Sequence, residues 1–494
     1  MAIERIGNFI DGAWVPPTTG EYAPNVNPAD TNDVLAEAPL SGSDDAKAAF
    51  DAAERAFPSW RATPPPKRAR YIARAFTILT SRLDEVARAM CREEGKVLSE
   101  AKGEVQKGLN LLEFYAGEGF RLHGKTLPSE MARTLTYTLR EPVGPVALVS
   151  PWNFPFAIPV WKSAPALVAG CPVVLKPAQL TPLSAKLMAD AYQEAGLPRG
   201  VFNLVYGRGS TVGRLLVDDE RARAVSFTGS NEIGIDIYTR AARRGARVTC
   251  EMGGKNPVVV LDDADLDLAV EGIVAGAFGS TGQRCTATSR LIVTGGIHDA
   301  LVERLKSRAR ALKVGNGLEP GVEMGPAVDQ VQLAQDLAAI EQAQGDGAKL
   351  ETGGRRLTEG ALQRGFFVEP TVFTQVTPGS ALAQEEVFGP VLAVLKAGSF
   401  DEALALANNV RYGLASSIYT RSANAAMRFI EGSEVGMVHV NQATVGGEAQ
   451  LPFGGVKKTG VGEKEMAEEG LNFFTHLKTV FFDYTGSRRE TNIY

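Results

Sequence analysis

The sequence predicts an α/β fold: a doubly wound parallel sheet, preceded by a helical stretch and followed by a second α/β unit. Two observations predict it. Between residues 171 and 263, short Val-rich apolar runs alternate with segments of helical period, the pattern of parallel strands covered by helices on both faces. From about residue 264 a second alternation of the same kind begins. At roughly 150 residues per domain, 494 residues amount to about three domains. No internal repeat or low-complexity linker marks the boundaries.

The elements follow in order. Residues 43–57, SDDAKAAFDAAERAF, carry apolar positions at 3.6 spacing behind a Ser/Asp cap and predict a helix. Residues 66–95 continue it, with Pro at the start and Gly at the end, and a third helix covers 98–119. Residues 134–150 alternate and are β-branched, so they predict strand, turn, strand. Strands at 171–177, 201–207 and 223–230 precede helices near 182–195, 210–217 and 231–243. Strands at 247–252 and 257–263 close the run. Helices near 265–280, 298–312, 329–345, 401–408 and 423–431 belong to the second unit. Residues 478–486, KTVFFDYTG, form a lone strand whose partner is either 134–148 or another subunit.

Composition removes several function classes. With 52 basic and 57 acidic residues the net charge is -5, so no nucleic-acid or anionic-membrane footprint is expected. The start lacks a secretory pattern, and apolar stretches such as 164–175 are too short for a bilayer. Four cysteines, Cys91, Cys171, Cys250 and Cys285, make no disulfide framework and no CxxC pair. A reducing cytoplasm and no metal site are the expectation. Only four histidines exist, so a catalytic base is expected elsewhere.

Several residues carry possible chemistry. Cys285, in GQRCTATSR, has small polar neighbours and Arg284 beside it; it reads equally as a cation-activated nucleophile or a loop cysteine. Glu251 ends a strand before two glycines. Burial there would suit it to general-base work, against a carboxylate neutralised by Lys255. Asn153, between Trp152 and Phe154, is an oxyanion donor or an Asx turn before Pro155. The turn 227–234, FTGSNEIG, offers a helix N-terminus to a pyrophosphate, or is an ordinary tight turn. The run 207–213 misses GxGxxG by one residue and is weak evidence. Lys176 ends a strand and either reaches a ribose or phosphate or is solvated. EEVFGP at 385–390 and PFGG at 452–455 are mute alone.

Their order is informative. Asn153, Lys176, FTGS at 227–230, Glu251, Cys285, EEVFGP and PFGG resemble the NAD(P)-dependent aldehyde dehydrogenase superfamily over nearly the whole chain. The resemblance implies the aldehyde dehydrogenase fold: a doubly wound cofactor domain, 1–123 and 144–252, an α/β catalytic domain, 253–455, and a β-flap oligomerisation element, 124–143 and 478–494. It implies a dimer or tetramer in which the terminal strand extends a neighbour's sheet. It implies Cys285 as nucleophile, Asn153 with the Cys285 backbone amide as oxyanion donors, and Glu251 as the base that hydrolyses a thioester.

On the cofactor side the resemblance gives Lys176 and Glu386 to ribose hydroxyls, and Phe388 and Trp152 to the cleft walls. Gly229 and Ser230 fall to the pyrophosphate. NAD-preferring relatives often read KPxE, whereas this chain reads KPAQ, with Gln179 in place of the acid. An amide would not repel a 2′-phosphate and Arg208 is near in sequence, so NADP, or dual use with NAD, is expected. The string GQRCTATSR resembles the 2-oxoglutarate semialdehyde (2,5-dioxopentanoate) branch. It is also similar to succinate semialdehyde and non-phosphorylating glyceraldehyde-3-phosphate dehydrogenases. All take small anionic aldehydes, with Arg284, Arg121 or Arg290 as candidate anion partners. A broad-specificity aldehyde dehydrogenase, or a cofactor-independent cysteine hydrolase or acyltransferase, is the alternative.

Overall fold

The computed structural model describes residues 3–488. Its helical start comprises Ser43–Ala62, Pro65–Ser81, Leu83–Glu94 and Leu98–Glu118. The helix expected over 66–95 is thus two helices meeting at Arg82. The hydroxyls of Thr77, Thr80 and Ser81 hydrogen-bond the carbonyls of Ala73, Phe76 and Ile78, competing with the backbone ladder. Asp84 and Glu85 then favour a fresh helix start.

Five parallel strands form the first sheet: Val146–Val149, Val173–Lys176, Phe202–Leu204, Ala224–Thr228 and Arg247–Glu251. Numbered one to five along the chain, they lie in the order 3-2-1-4-5. The first four are buried throughout, because apolar runs such as VALV must be covered on both faces. The direction of travel reverses between Val146–Val149 and Ala224–Thr228, which opens a crevice at their C-terminal ends. Antiparallel strands Asn8–Ile10, Ala13–Val15 and Gly460–Val461 finish the sheet edges.

Three helices escaped the sequence reading, Ala381–Gln384, Ala467–Phe473 and the longest of them, Ala157–Ala169. Ala157–Ala169 is buried on all sides, so its sequence has no polar face and no helical period to detect. It packs under Pro65–Ser81, Leu98–Glu118 and Ala467–Phe473.

The second sheet has seven strands, in the order Lys349–Thr352, Thr371–Thr374, Val391–Ala397, Thr288–Thr294, Asn256–Val260, Ala415–Tyr419, Met437–Val440. All neighbours are parallel except the first pair. A third, antiparallel sheet joins Thr126–Leu127, Thr134–Pro142 and Thr475–Asp483. The lone C-terminal strand therefore finds its first partner within its own chain, at Thr134–Pro142, and its other edge stays open. The last six residues of the expected flap segment, 489–494, lie outside the described residues. No helix among the described residues is long and apolar enough to cross a membrane.

Candidate active site

The crevice is walled by two strand ends. After Thr228, Gly229 donates its N–H to the Glu251 carbonyl at 3.1 Å. Ser230 starts the helix Asn231–Arg243 without a side-chain cap, so first-turn amides there are available to an anion. After Val149, the loop 150–156 carries Trp152 and Asn153. Asn153 is buried and its carbonyl accepts from the Lys96 ammonium at 2.8 Å. Lys96 also donates to Glu104 at 2.6 Å. The other Glu104 oxygen accepts from the N–H groups of Phe156 and Ala157, at 2.9 and 3.1 Å. One buried carboxylate thus anchors both the loop and the helix behind it.

Cys285 follows a tight turn, Gly279–Gly282, in which Ser280 and Thr281 adopt φ of 48° and 59°. That left-handed geometry is costly for residues with a Cβ. It is held by Ser280 N–H donating to Glu100 at 2.8 Å and by the Thr281 hydroxyl donating to the Gly325 carbonyl at 3.0 Å. The Cys285 carbonyl accepts from Asn256 at 2.8 Å. Burial, then Glu386, then Glu251 push the thiol up to about 12, and Lys107 opposes them. Arg284, the adjacent cation in the nucleophile reading of Cys285, is not among the charges that act on the sulfur. Its guanidinium turns away to Glu100 at 2.7 Å and to the Ser280 hydroxyl at 3.0 Å, so its charge is already spent.

Glu251 ends its strand as expected, paired in register with Thr228. Its carboxylate accepts from the Gly455 amide at 3.3 Å. Burial, reinforced by Glu465, holds it well above the usual carboxylate range. Lys255 does not neutralise it: the Lys255 ammonium is buried without a hydrogen-bond partner, and burial pushes it down to about 7. Glu386 accepts from the Gly254 amide at 2.9 Å and is raised to about 7, chiefly by burial. Phe388, at φ 62°, meets Trp152 edge-on with centroids 5.4 Å apart.

Trp152, Asn153, Gly229, Ser230, Cys285, Glu386 and Phe388 all line one cavity of about 280 Å³. Glu251 lies just behind, with its neighbours Met252 and Gly253 in the wall. Lys176 and Gln179 are outside that wall. Lys176 is one strand over, its carbonyl accepting from Ser150 N–H at 3.1 Å, and its ammonium is lowered to about 8 by burial. Cys285 also lines a second cavity, of about 380 Å³, with Lys107, Phe154, Trp161 and Phe453.

The model of the aldehyde dehydrogenase family matches residues 14–480. The chain belongs to that family. It is 45% identical to the alpha-ketoglutaric semialdehyde dehydrogenase of Bacillus subtilis over 474 residues, 96% of this chain and 97% of that one. It is 44% identical to the 2,5-dioxopentanoate dehydrogenase of Saccharolobus solfataricus, over 95% of this chain and 97% of that one. The crystal structure of an Escherichia coli NADP-dependent enzyme superposes with a TM-score of 0.93 at 37% identity, covering 97% of this chain and 98% of that chain.

As an aldehyde dehydrogenase, the enzyme is an NAD(P)-dependent oxidoreductase. Its residues fit such a cofactor. The hydroxyls of Ser150 and Thr228, at the two strand mouths, are buried without partners, and both amide atoms of Gln179 are likewise unpartnered. The uncapped helix beginning after Ser230 supplies donors for a pyrophosphate.

None of the three arginines offered for the substrate's anionic end is a free cation at either cavity of this dehydrogenase that Cys285 lines. Arg290 is buried, donating to the carbonyls of Lys255, Leu406 and Ala407. Arg121 pairs with Glu118 in a separate cavity. Arg284 is tied to Glu100 as above. Sequence reading also missed Lys96, Glu104 and Lys107. For the last two the signal was present: Glu100, Gly103, Glu104 and Lys107 fall on one helical face. Such spacing alone is also that of a solvated stripe.

Proposed function

We propose that this aldehyde dehydrogenase oxidises a small anionic semialdehyde, foremost 2-oxoglutarate semialdehyde (2,5-dioxopentanoate), to the carboxylate. The observation that carries the chemistry is that Cys285 belongs to two cavities at once, one suited to a dinucleotide and one to an aldehyde. The substrate class rests on the names of the relatives and on the pattern around Cys285.

The Cys285 thiolate adds to the aldehyde carbonyl. The Asn153 amide and the Cys285 backbone N–H hold the resulting oxyanion, a contribution of about 10²–10³ in rate per donor. Bound NAD(P)⁺ supplies the two-electron acceptor. Cys285 then carries the acyl group as a thioester. Glu251 takes a proton from the water that releases it, a role worth about 10²–10⁴. Burial holds the resting thiol up, and cofactor and substrate both enter next to the sulfur.

Lys176 and Glu386 are assigned to ribose hydroxyls, and Gly229 and Ser230 to the pyrophosphate. Phe388 is assigned to the wall of the nicotinamide pocket and Trp152 to the lining of the cofactor cleft. Gln179 in place of an acid favours NADP⁺ or dual use. The domain limits given above, with the flap as oligomerisation element, belong to the same proposal. Its support is the open outer edge of Thr475–Asp483 and the exposed Leu477, Phe481 and Phe482. A dimer or tetramer follows from that reading. Four free cysteines support a cytoplasmic location.

The test is a panel of semialdehydes and uncharged aldehydes, each with NAD⁺ and NADP⁺. The expected result is highest kcat/KM for 2-oxoglutarate semialdehyde with NADP⁺ or with both cofactors. Hexanal outperforming every acidic aldehyde would refute the substrate class, and a strong NAD⁺ preference would refute the cofactor assignment.

A further inference from the structure

The cavity on the far side of Cys285 is bounded on one side by a stripe of the helix Leu98–Glu118. Four charged side chains line it: Glu100, Glu104, Lys107 and Arg284. Three are already compensated within the fold. Glu100 pairs with Arg284 at 2.7 Å. Glu104 pairs with Lys96 at 2.6 Å and caps two backbone amides. Lys107 alone makes no hydrogen bond or ion pair among the described residues. Its ammonium sits 5.2 Å from the Trp161 ring centre and 5.4 Å from that of Phe453, beside Gly447. The other walls include Phe154 and Ile158. A lone cation in an aromatic-walled chamber favours an anionic occupant.

We propose that Lys107 binds the distal carboxylate of the substrate and is the specificity-determining residue for acidic aldehydes. This rests on the aldehyde-oxidation reading above and names the partner that the three arginines cannot be. The aldehyde end meets Cys285, the carbon chain lies against Trp161 and Phe453, and the carboxylate meets the ammonium. Burial depresses the Lys107 ammonium, and a carboxylate placed beside it opposes that shift. An uncharged aldehyde of the same length leaves the cation unpaired and gains nothing from it.

The experiment compares succinate semialdehyde with butanal, which share four carbons and differ at the distal carboxylate. It uses the full-length wild-type enzyme, Lys107→Met and Lys107→Arg. The readout is the ratio of kcat/KM for the two aldehydes. In Lys107→Met that ratio falls about 100-fold, mostly through the KM of the acidic substrate, because one partner of a desolvated charge pair is gone. Lys107→Arg keeps the ratio within about tenfold of wild type. A ratio that changes by less than about threefold in Lys107→Met overturns the proposal, whatever happens to the absolute rates. That result would assign Lys107 to supporting the Cys285 thiolate alone. A wild-type enzyme that oxidises neither aldehyde with either dinucleotide would sink the functional reading instead.

Discussion

Glu104→Gln tests the anchor beneath the active-site loop. In the native protein Lys96 and Glu104 are each 1% exposed and 2.6 Å apart. The glutamine keeps a carbonyl oxygen for the Phe156 and Ala157 amides, but turns an NH₂ donor toward the Lys96 ammonium. A buried cation without its partner costs about 3–5 kcal/mol. The expected loss lies near the lower end, because Glu94 is only 3.7 Å from Lys96. Glu94 is held up to about 8 by burial, with the Glu104 charge adding to it; freed of that charge, it ionises more readily. Lys96→Met alone leaves Glu104 as a buried acid and also destabilises. Lys96→Met with Glu104→Gln removes both charges, so its cost falls well below the sum of the singles, with a coupling of at least about 2 kcal/mol. Urea-unfolding midpoints of the four proteins measure this. Both singles, where folded, also lose kcat, because Lys96 holds the Asn153 carbonyl. Additive single losses, or singles within about 0.5 kcal/mol of wild type, would refute the reasoning.

Three further outcomes are expected. Glu251→Gln retains one burst of reduced dinucleotide per site but loses about 10²–10⁴ in steady turnover. Because the native carboxyl lies well above its usual range, wild-type kcat climbs toward alkaline pH, and the variant loses that limb; stopped-flow and steady-state assays across pH check both. Asp336 is raised from 3.8 to about 8 by burial. Its stabilisation is thus complete below about pH 4 and is lost as pH rises through 8, at up to about 1.4 kcal/mol per pH unit. Asp336→Asn therefore flattens the fall in urea midpoint between pH 5 and pH 8. Gln179→Glu lowers kcat/KM with NADP⁺ at least about tenfold relative to NAD⁺, since a carboxylate repels a 2′-phosphate; an unchanged cofactor ratio would remove Gln179 from the site.

Much of the fold was legible because strands and helices kept their periods. The run AVSFT at 224–228 and the amphipathic helix 231–243 fall where their periods place them. Ala157–Ala169 was illegible because full burial erases the polar face. The split at Arg82 was illegible because it depends on where three hydroxyls point. Of the site, Asn153 and Cys285 announced themselves only through their order along the chain. The state of the sulfur could not be read at all. Arg284 adjoins Cys285 in sequence, yet its charge goes to Glu100, 184 positions away. Lys107, 178 positions from Cys285 by the numbering, is the cation whose field reaches the thiol. Sequence neighbours share a backbone; electrostatic neighbours are assigned by packing.

The sulfur forms part of the partition between two chambers whose linings share only Cys285. Exchanges at residues that line one chamber, other than the Glu104 that anchors the Trp152–Asn153 loop, therefore leave the other's lining in place. A lineage can exchange Trp161, Lys107 or Phe453 to accept a longer, bulkier or uncharged aldehyde while the dinucleotide seat is inherited intact. Exchanges at the seat, in turn, spare the aldehyde's berth. Such modularity lets one scaffold diversify its diet by drift on a single wall.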